Sequence, residues 1–290
     1  WMWIVGVYIT IASIAPVWIL LQPRDYLSSF LLYGMMVIAA IGVIGASVTG
    51  HATTNIPAFV PEKLDTLFPT LFITIACGAI SGFHSLVGSG TSSKQLDKES
   101  DAKPIAYGGM LIECALALVS LCAVAYLWVD GAPAGTPTQV FAGGLSKMIA
   151  VIPGLAATET TIYALLILTV SAFCLTSLDT ATRLARYMFQ EFWLKPGETY
   201  KDVKGFKAIL CQPLVATIIT VVLGVALGMN GYAKIWALFG SANQLLAALA
   251  LLAIAAWLGN VGKKNAMCWI PMFFMLAVTI ASLIINTKTQ

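Results

Sequence analysis

The chain has 290 residues, of which 59% are hydrophobic and only 10% charged, with a formal net charge of +3 and a mean hydropathy of +0.88. A soluble domain carries about 25% charged residues, so this composition excludes a water-soluble globule and points to an all-α integral membrane protein. So small a net charge gives no ground for a nucleic-acid partner, and the lipid bilayer is the first partner expected.

A helix crossing ~30 Å of hydrocarbon takes about 20 apolar residues. Eight segments are expected to span: 1–21, 26–47, 67–83, 106–128, 159–178, 208–229, 234–258 and 266–286. They form a single transmembrane domain over 1–290. The chain opens as WMWIVGVY, inside the first span, with no initiator Met and no basic flank. That is not a signal peptide, and it reads as a piece of a longer protein.

The third span ends in SGFHSLVGSGTSSKQL, residues 81–96. Glycines there admit backbone angles that other residues avoid, and hydroxyls satisfy freed backbone groups. Irregular backbone at membrane depth survives only beside a cavity or buried in protein. The pattern is that of a discontinuous helix lining a substrate path. Its candidate substrate-binding residues are Ser81, Gly82, His84, Ser85, Gly88, Ser89, Gly90, Thr91, Ser92, Ser93 and Lys94. A short helix starting near Thr91 would turn its free N–H groups toward a carboxylate or phosphate. The same residue types also suit a solvated loop leaving the membrane. His84 is either a proton carrier or a neutral hydrogen-bond partner holding the bend.

Glu113 lies about two turns into the 106–128 span, as a coupling carboxylate or as a group reaching the cytoplasmic boundary. Next comes an outer amphipathic helix at 138–152, with Val140, Phe141, Leu145, Met148, Ile149 and Ile152 on one side. In FCLTSLDTATRLARY, residues 173–187, the groups Thr176, Ser177, Asp179 and Thr180 sit where a span turns into an inner amphipathic helix at 180–194. Their oxygens suit Na⁺, and a carboxylate also takes H⁺; an interfacial cap is the plainer alternative. That inner helix has Ala181, Leu184, Ala185, Met188 and Phe192 on one face and Arg183, Arg186, Gln190 and Glu191 opposite. Asn243 and Gln244, in FGSANQLLA, are structural polar residues that bond between helices.

Lys and Arg divide twelve to four between alternate sides of these spans. The positive-inside rule puts the richer side, which includes Arg24 and the basic 183–207 region, in the cytoplasm. The 67–83 span then runs inward and 138–152 lies outside. The six cysteines fall within apolar runs with no CxxC pair, as small buried hydrophobes do. No GxxxxGKS, HExxH or GxSxG motif occurs and no cofactor is implied, so an ion gradient is the remaining energy source.

Taken together, PVWILLQPRDYLSSFLL, GHATTNIPAFVPE, GFHSLVGSGTSSKQL, CLTSLDTATRLARY and FGSANQLLAA resemble the carbon starvation protein A family over residues 16–247. The resemblance implies a multi-pass protein of the bacterial inner membrane that takes up peptides or pyruvate during carbon starvation. It implies secondary active transport of a small carboxylate or peptide substrate, coupled to H⁺ or Na⁺. Members are considerably longer than this chain. The family is similar to the amino acid–polyamine–organocation transporters, which implies part of a LeuT-like 5+5 inverted repeat with a broken helix near 82–92. With 1–21 as the fourth core helix, 67–90 becomes the broken sixth and 159–178 the eighth, with Thr176 and Ser177 at a cation site. Outside this resemblance, the alternative is an intramembrane enzyme or a sensory scaffold that uses the basic 183–207 segment.

Overall fold

The computed structural model describes residues 2–54, 56–57, 67–73, 75, 80–128, 133–195, 197–229 and 232–288, with only the backbone at 67, 70, 232–238 and 286–288. Part of GHATTNIPAFVPE and residues 74 and 76–79 of the 67–83 span lie outside the described residues. Within them every regular element is helical. The α-helices are α1 Met2–Ile14, α2 Leu21–Val48, α3 Gly82–Gly90, α4 Ala102–Leu127, α5 Pro137–Ala150, α6 Glu159–Trp193, α7 Phe206–Cys211, α8 Pro213–Met229, α9 Tyr232–Asn260 and α10 Ala266–Lys288.

Five stretches among the described residues are long and apolar enough to cross a membrane: Leu21–Val48, Glu99–Leu127, Ala156–Trp193, Phe239–Asn260 and Ala266–Ile285. The chain is therefore a multi-pass membrane protein. Met2–Ile14 and Pro213–Met229 are shorter apolar helices. A proline stands at one end of each. Pro16 follows the end of α1, and a proline has no N–H with which to continue a helix. Pro213 forces extended backbone on its predecessor; Gln212 has φ −61° and ψ 129°, which splits 206–229 into α7 and α8.

The segments read as a 159–178 span and a separate 180–194 amphipathic helix are one helix, the 35-residue α6. At 1.5 Å per residue it is about 52 Å long, well beyond the ~30 Å hydrocarbon core. Near its end most of the polar side is enclosed, although Glu191 is exposed and the apolar Leu184 is buried. Arg183, Arg186 and Gln190 are buried, while Met188 and Phe192 are exposed.

The chain divides into two compact units. One comprises Tyr8–Phe59 and Tyr107–Ala181. Its core joins Met35, Ala39 and Ala46 of α2 with Ala123 of α4, Phe141, Leu145 and Met148 of α5, and Leu166 of α6. Small residues let membrane helices approach closely where no hydrophobic effect drives them together. A capping box starts α5: the Thr136 N–H donates to Gln139 Oε1 at 2.9 Å and the Gln139 N–H to Thr136 Oγ1 at 3.4 Å. The apolar face of α5 is buried in this core.

The other unit comprises Trp1–Val7, Val60–Ala106 and Thr182–Gln290. Its centre is the antiparallel pair α9 and α10. They are pinned by the buried Ser241 and Ser282 hydroxyls 3.1 Å apart and by Asn265 Nδ2 donating to the Ala255 carbonyl at 3.0 Å. Two cysteines depart from the expected burial: Cys211 and Cys268 are buried, but Cys114 and Cys174 are exposed. Around a membrane helix the lipid takes the place of a core, so an apolar outward side chain costs little.

Candidate functional site

In the unit built on α9, the hydroxyl-rich stretch forms a short helix between two breaks. Ser81 is extended, with φ −122° and ψ 133°, and Thr91 leaves the helix with φ −130° and ψ −60°. A 3₁₀ turn, Ser92–Gln95, follows. The helix start expected near Thr91 is thus corrected to Gly82, nine residues earlier, and Thr91 ends α3 instead. Hydroxyls near Thr91 resemble a cap in sequence, but Ser92–Gln95 is a single tight turn.

The cap of α3 comes from outside it. Ser81 makes no side-chain cap bond. Instead Asn243 Oδ1 accepts the Phe83 N–H at 2.8 Å, and Asn243 Nδ2 donates to Ser81 Oγ at 3.0 Å. An orphan N–H of the first helical turn is satisfied in this way. Gly82 makes the approach possible: a Cβ there would stand 2.4 Å from the Asn243 backbone oxygen and 2.9 Å from the Ala247 nitrogen. Gln244 Nε2 donates to the Ile73 carbonyl at 3.4 Å. Asn243 and Gln244 thus tie α9 to both sides of the interruption.

The remaining motif residues are spread around this turn. Ser85 Oγ donates to the Gly82 carbonyl at 2.6 Å, Ser89 to Ser85 at 2.9 Å and Ser93 to Ser89 at 2.9 Å. These hydroxyls satisfy carbonyls of α3, Ser93 from the turn that follows it, and keep only lone pairs for a ligand. His84, Gly88, Ser89, Ser92, Ser93 and Lys94 are exposed. The Thr91 hydroxyl is buried with no hydrogen-bond partner. Lys94 Nζ stands 5.4 Å from the centroid of the Tyr187 ring.

The second group lies in the unit built on α2. Asp179 of α6 is 1% exposed. Its Oδ2 pairs with Arg24 Nη1 and accepts the Tyr8 hydroxyl at 3.1 Å, while Arg24 Nη1 also donates to the Tyr8 oxygen at 3.3 Å. Arg24 Nη2 reaches Asp25 at 3.1 Å. Asp179 Oδ1 and Arg24 Nε are buried without a hydrogen-bond partner. Of the other candidates, the Thr176 hydroxyl donates to the Ala172 carbonyl at 2.9 Å. Thr180 is buried, Ser177 is exposed, and Glu113 is half-buried on α4. The sequence reading missed Tyr8 and Arg24. A positive-inside count takes Arg24 as a loop charge, but it lies within α2, and an ionisable residue inside a membrane helix is itself a functional signal.

The family described as carbon starvation protein CstA matches residues 1–134 and 129–282. The peptide transporter CstA of Bacillus subtilis (strain 168) is 32% identical, over 93% of this chain and 51% of its own length. The peptide transporter CstA of Escherichia coli (strain K12) is 33% identical, over 97% of this chain and 48% of its own. The pyruvate/proton symporter BtsT of the same organism is 42% identical over 44% of this chain and 19% of its own length. No solved structure matches. The chain spans about half the length of the peptide transporters it matches.

Proposed function

The chain belongs to the carbon starvation protein CstA family, and from that premise we propose that it serves proton- or cation-coupled uptake of peptides or pyruvate. The relatives named peptide transporter and pyruvate/proton symporter support the substrate class. The observation that carries the coupling is the buried Asp179, held by Arg24 and Tyr8. Removing one charge from a buried ion pair leaves the other uncompensated. A proton arriving on Asp179 therefore releases Arg24 and loosens what ties α6 to the start of α2. A cation competing for the carboxylate has the same effect. Either way, the bound ion changes the relative stability of two arrangements, and a ligand shifts a conformational equilibrium only through such a difference.

The Ser81–Lys94 stretch is the substrate-path element of this reading. The breaks at Ser81 and Thr91, on either side of a short helix capped from α9, support it. They also support part of a LeuT-like 5+5 inverted repeat, in which short helices end at the binding site.

The test is uptake of labelled pyruvate or dipeptide into proteoliposomes under an imposed proton or Na⁺ gradient. Asp179→Asn is expected to abolish gradient-driven uptake and to leave counterflow exchange in place. Gradient-driven uptake at the unsubstituted rate would refute the role of Asp179, and no uptake under any gradient would remove the transport reading.

A further inference from the structure

The turn between α9 and α10 is basic and lies in a stretch without acid. From residue 203 to residue 290 the chain holds six lysines and no Asp or Glu. Two of the six, Lys263 and Lys264, stand side by side where two membrane-spanning helices meet. The turn is tightly built. Gly262 closes α9 at φ +72°, a value that favours glycine. Its N–H donates to the Gly259 carbonyl at 3.0 Å and the Lys263 N–H to the Leu258 carbonyl at 2.9 Å, the paired bonds of a helix ended by glycine. Asn265 Nδ2 donates back to the Ala255 carbonyl, and Ala255, Leu258 and Cys268 pack together behind the turn. Both lysines are exposed, and among the described residues no carboxylate pairs with either.

Two tryptophans flank this turn. Trp257 and Trp269 are 61% and 41% exposed. Each lies three residues inside its own helix, whose ends at the turn are Asn260 and Ala266. At 1.5 Å per residue the two indoles are attached about 4.5 Å below the turn. The polar zone on each side of the hydrocarbon is roughly 5–8 Å deep. With the lysines among the headgroups, both indoles therefore sit at the boundary with the acyl chains. Tryptophan is enriched there because its body is apolar and its N–H seeks a polar acceptor. The turn thus presents ammonium groups at the depth of the lipid phosphates and indole N–H donors just beneath them.

We propose that Lys263 and Lys264, with Trp257 and Trp269, form a binding site for the headgroup of an anionic phospholipid in the surrounding bilayer. The phosphate of phosphatidylcholine is offset by its own choline. A net negative headgroup such as phosphatidylglycerol is the one that gains from the two ammonium groups, by roughly fivefold for each lysine near a membrane surface. The tryptophans select lipid over an acidic protein as the occupant, because a protein reaching the lysines from water would leave the indoles untouched. The site does not depend on the transport reading.

The experiment follows tryptophan fluorescence of the full chain in phosphatidylcholine vesicles as brominated phosphatidylglycerol, a quencher, is added. Brominated phosphatidylcholine is the reference. The part of the quenching that is lost in Trp257→Phe/Trp269→Phe belongs to the site. That part saturates at a lower mole fraction of phosphatidylglycerol than of phosphatidylcholine, and the preference shrinks in high salt. Lys263→Gln/Lys264→Gln raises the half-saturating fraction by roughly ten- to thirtyfold. Lys147→Gln, an exposed lysine on α5, leaves it unchanged. Both lysines of the turn are exposed, so the double variant is expected to fold, and the salt titration of the unsubstituted chain reads the site without any variant. Equal half-saturation by the two brominated lipids overturns the proposal, as does a preference that survives in the double variant or in high salt. An equal loss in Lys147→Gln also overturns it, because the effect would then be one of overall charge. If polyglutamate binds through Lys263 and Lys264 while the lipid preference stays as before, the turn serves an acidic protein and the proposal falls.

Discussion

Replacing Arg24 with Met tests the buried ion pair directly. Asp179 is 1% exposed, and Arg24 holds its Oδ2 together with the Tyr8 hydroxyl. Arg24→Met leaves a carboxylate in a nearly dry site with a single neutral donor. Breaking one side of a buried pair costs about 3–5 kcal/mol. At about 2–4 °C per kcal/mol for a chain of this order of size, the midpoint of thermal unfolding falls by roughly 6–20 °C. Asp179→Leu alone strands the guanidinium and lowers the midpoint as well. The double variant strands neither charge, and replacing a buried ion pair by apolar residues is often close to neutral. It is therefore expected to regain most of the loss. The assay is thermal unfolding of all four proteins in one detergent, followed by tryptophan fluorescence, with the coupling read from the double-mutant cycle. Single losses that simply add in the double variant would refute the reasoning, because uncoupled residues do not hold each other.

Gly82→Ala puts a methyl group within 2.4 Å of the Asn243 backbone oxygen. Since backbone cannot step aside, α3 moves off α9 at a cost of about 1–3 kcal/mol, measured as a lower unfolding midpoint and reduced uptake. Asn243→Ala leaves the Phe83 N–H without its acceptor and costs about 1–3 kcal/mol. Asn243→Asp keeps an acceptor at a helix N-terminus, where negative charge is favoured, and is expected to lose less; equal losses would show that the cap does not matter. In the 194–205 loop the Thr199 hydroxyl, 2.5 Å away, and the Thr199 N–H hold the Asp202 carboxyl below its ordinary value. A lowered folded-state value means that the ordering is complete above the unfolded-state value near ~3.9 and is lost as pH falls through the lower folded-state one. Hydrogen exchange at the Thr199 amide should therefore quicken, relative to its intrinsic rate, only at acid pH, and Asp202→Asn should quicken it at neutral pH.

What the sequence discloses here follows from how far each cause reaches along the chain. Hydropathy is local, so α2, α4, α6, α9 and α10 are legible as apolar runs. The prolines at 16 and 213 announce where such runs break, yet whether a run of apolar residues crosses as one helix or stops short depends on them more than on its mean. The start of α3 is not local. Its acceptor, Asn243, lies 160 positions from Phe83, and nothing near Ser81 marks it. The hydroxyls around Thr91 supply a false local cue. Arg24 and Asp179 were each visible as charges, but a positive-inside count treats every arginine as a surface cation and cannot see one paired with a buried carboxylate. The 180–194 segment shows the limit most sharply. Its periodicity discloses two faces without saying which is wet. In water the apolar face turns in. Beside lipid that rule does not hold: Met188 and Phe192 are exposed and Arg183, Arg186 and Gln190 buried, although Leu184 of the apolar face is buried too and Glu191 of the polar face is exposed. Polarity enclosed in this way has to be answered by something polar, and on this stretch of α6 the Arg186 guanidinium stands 4.6 Å from the centroid of the Tyr187 ring while Gln190 Nε2 donates to the Cys211 carbonyl at 2.6 Å. The same two faces that periodicity detects become, once their medium is known, a statement about which side chains pack against protein and which meet lipid.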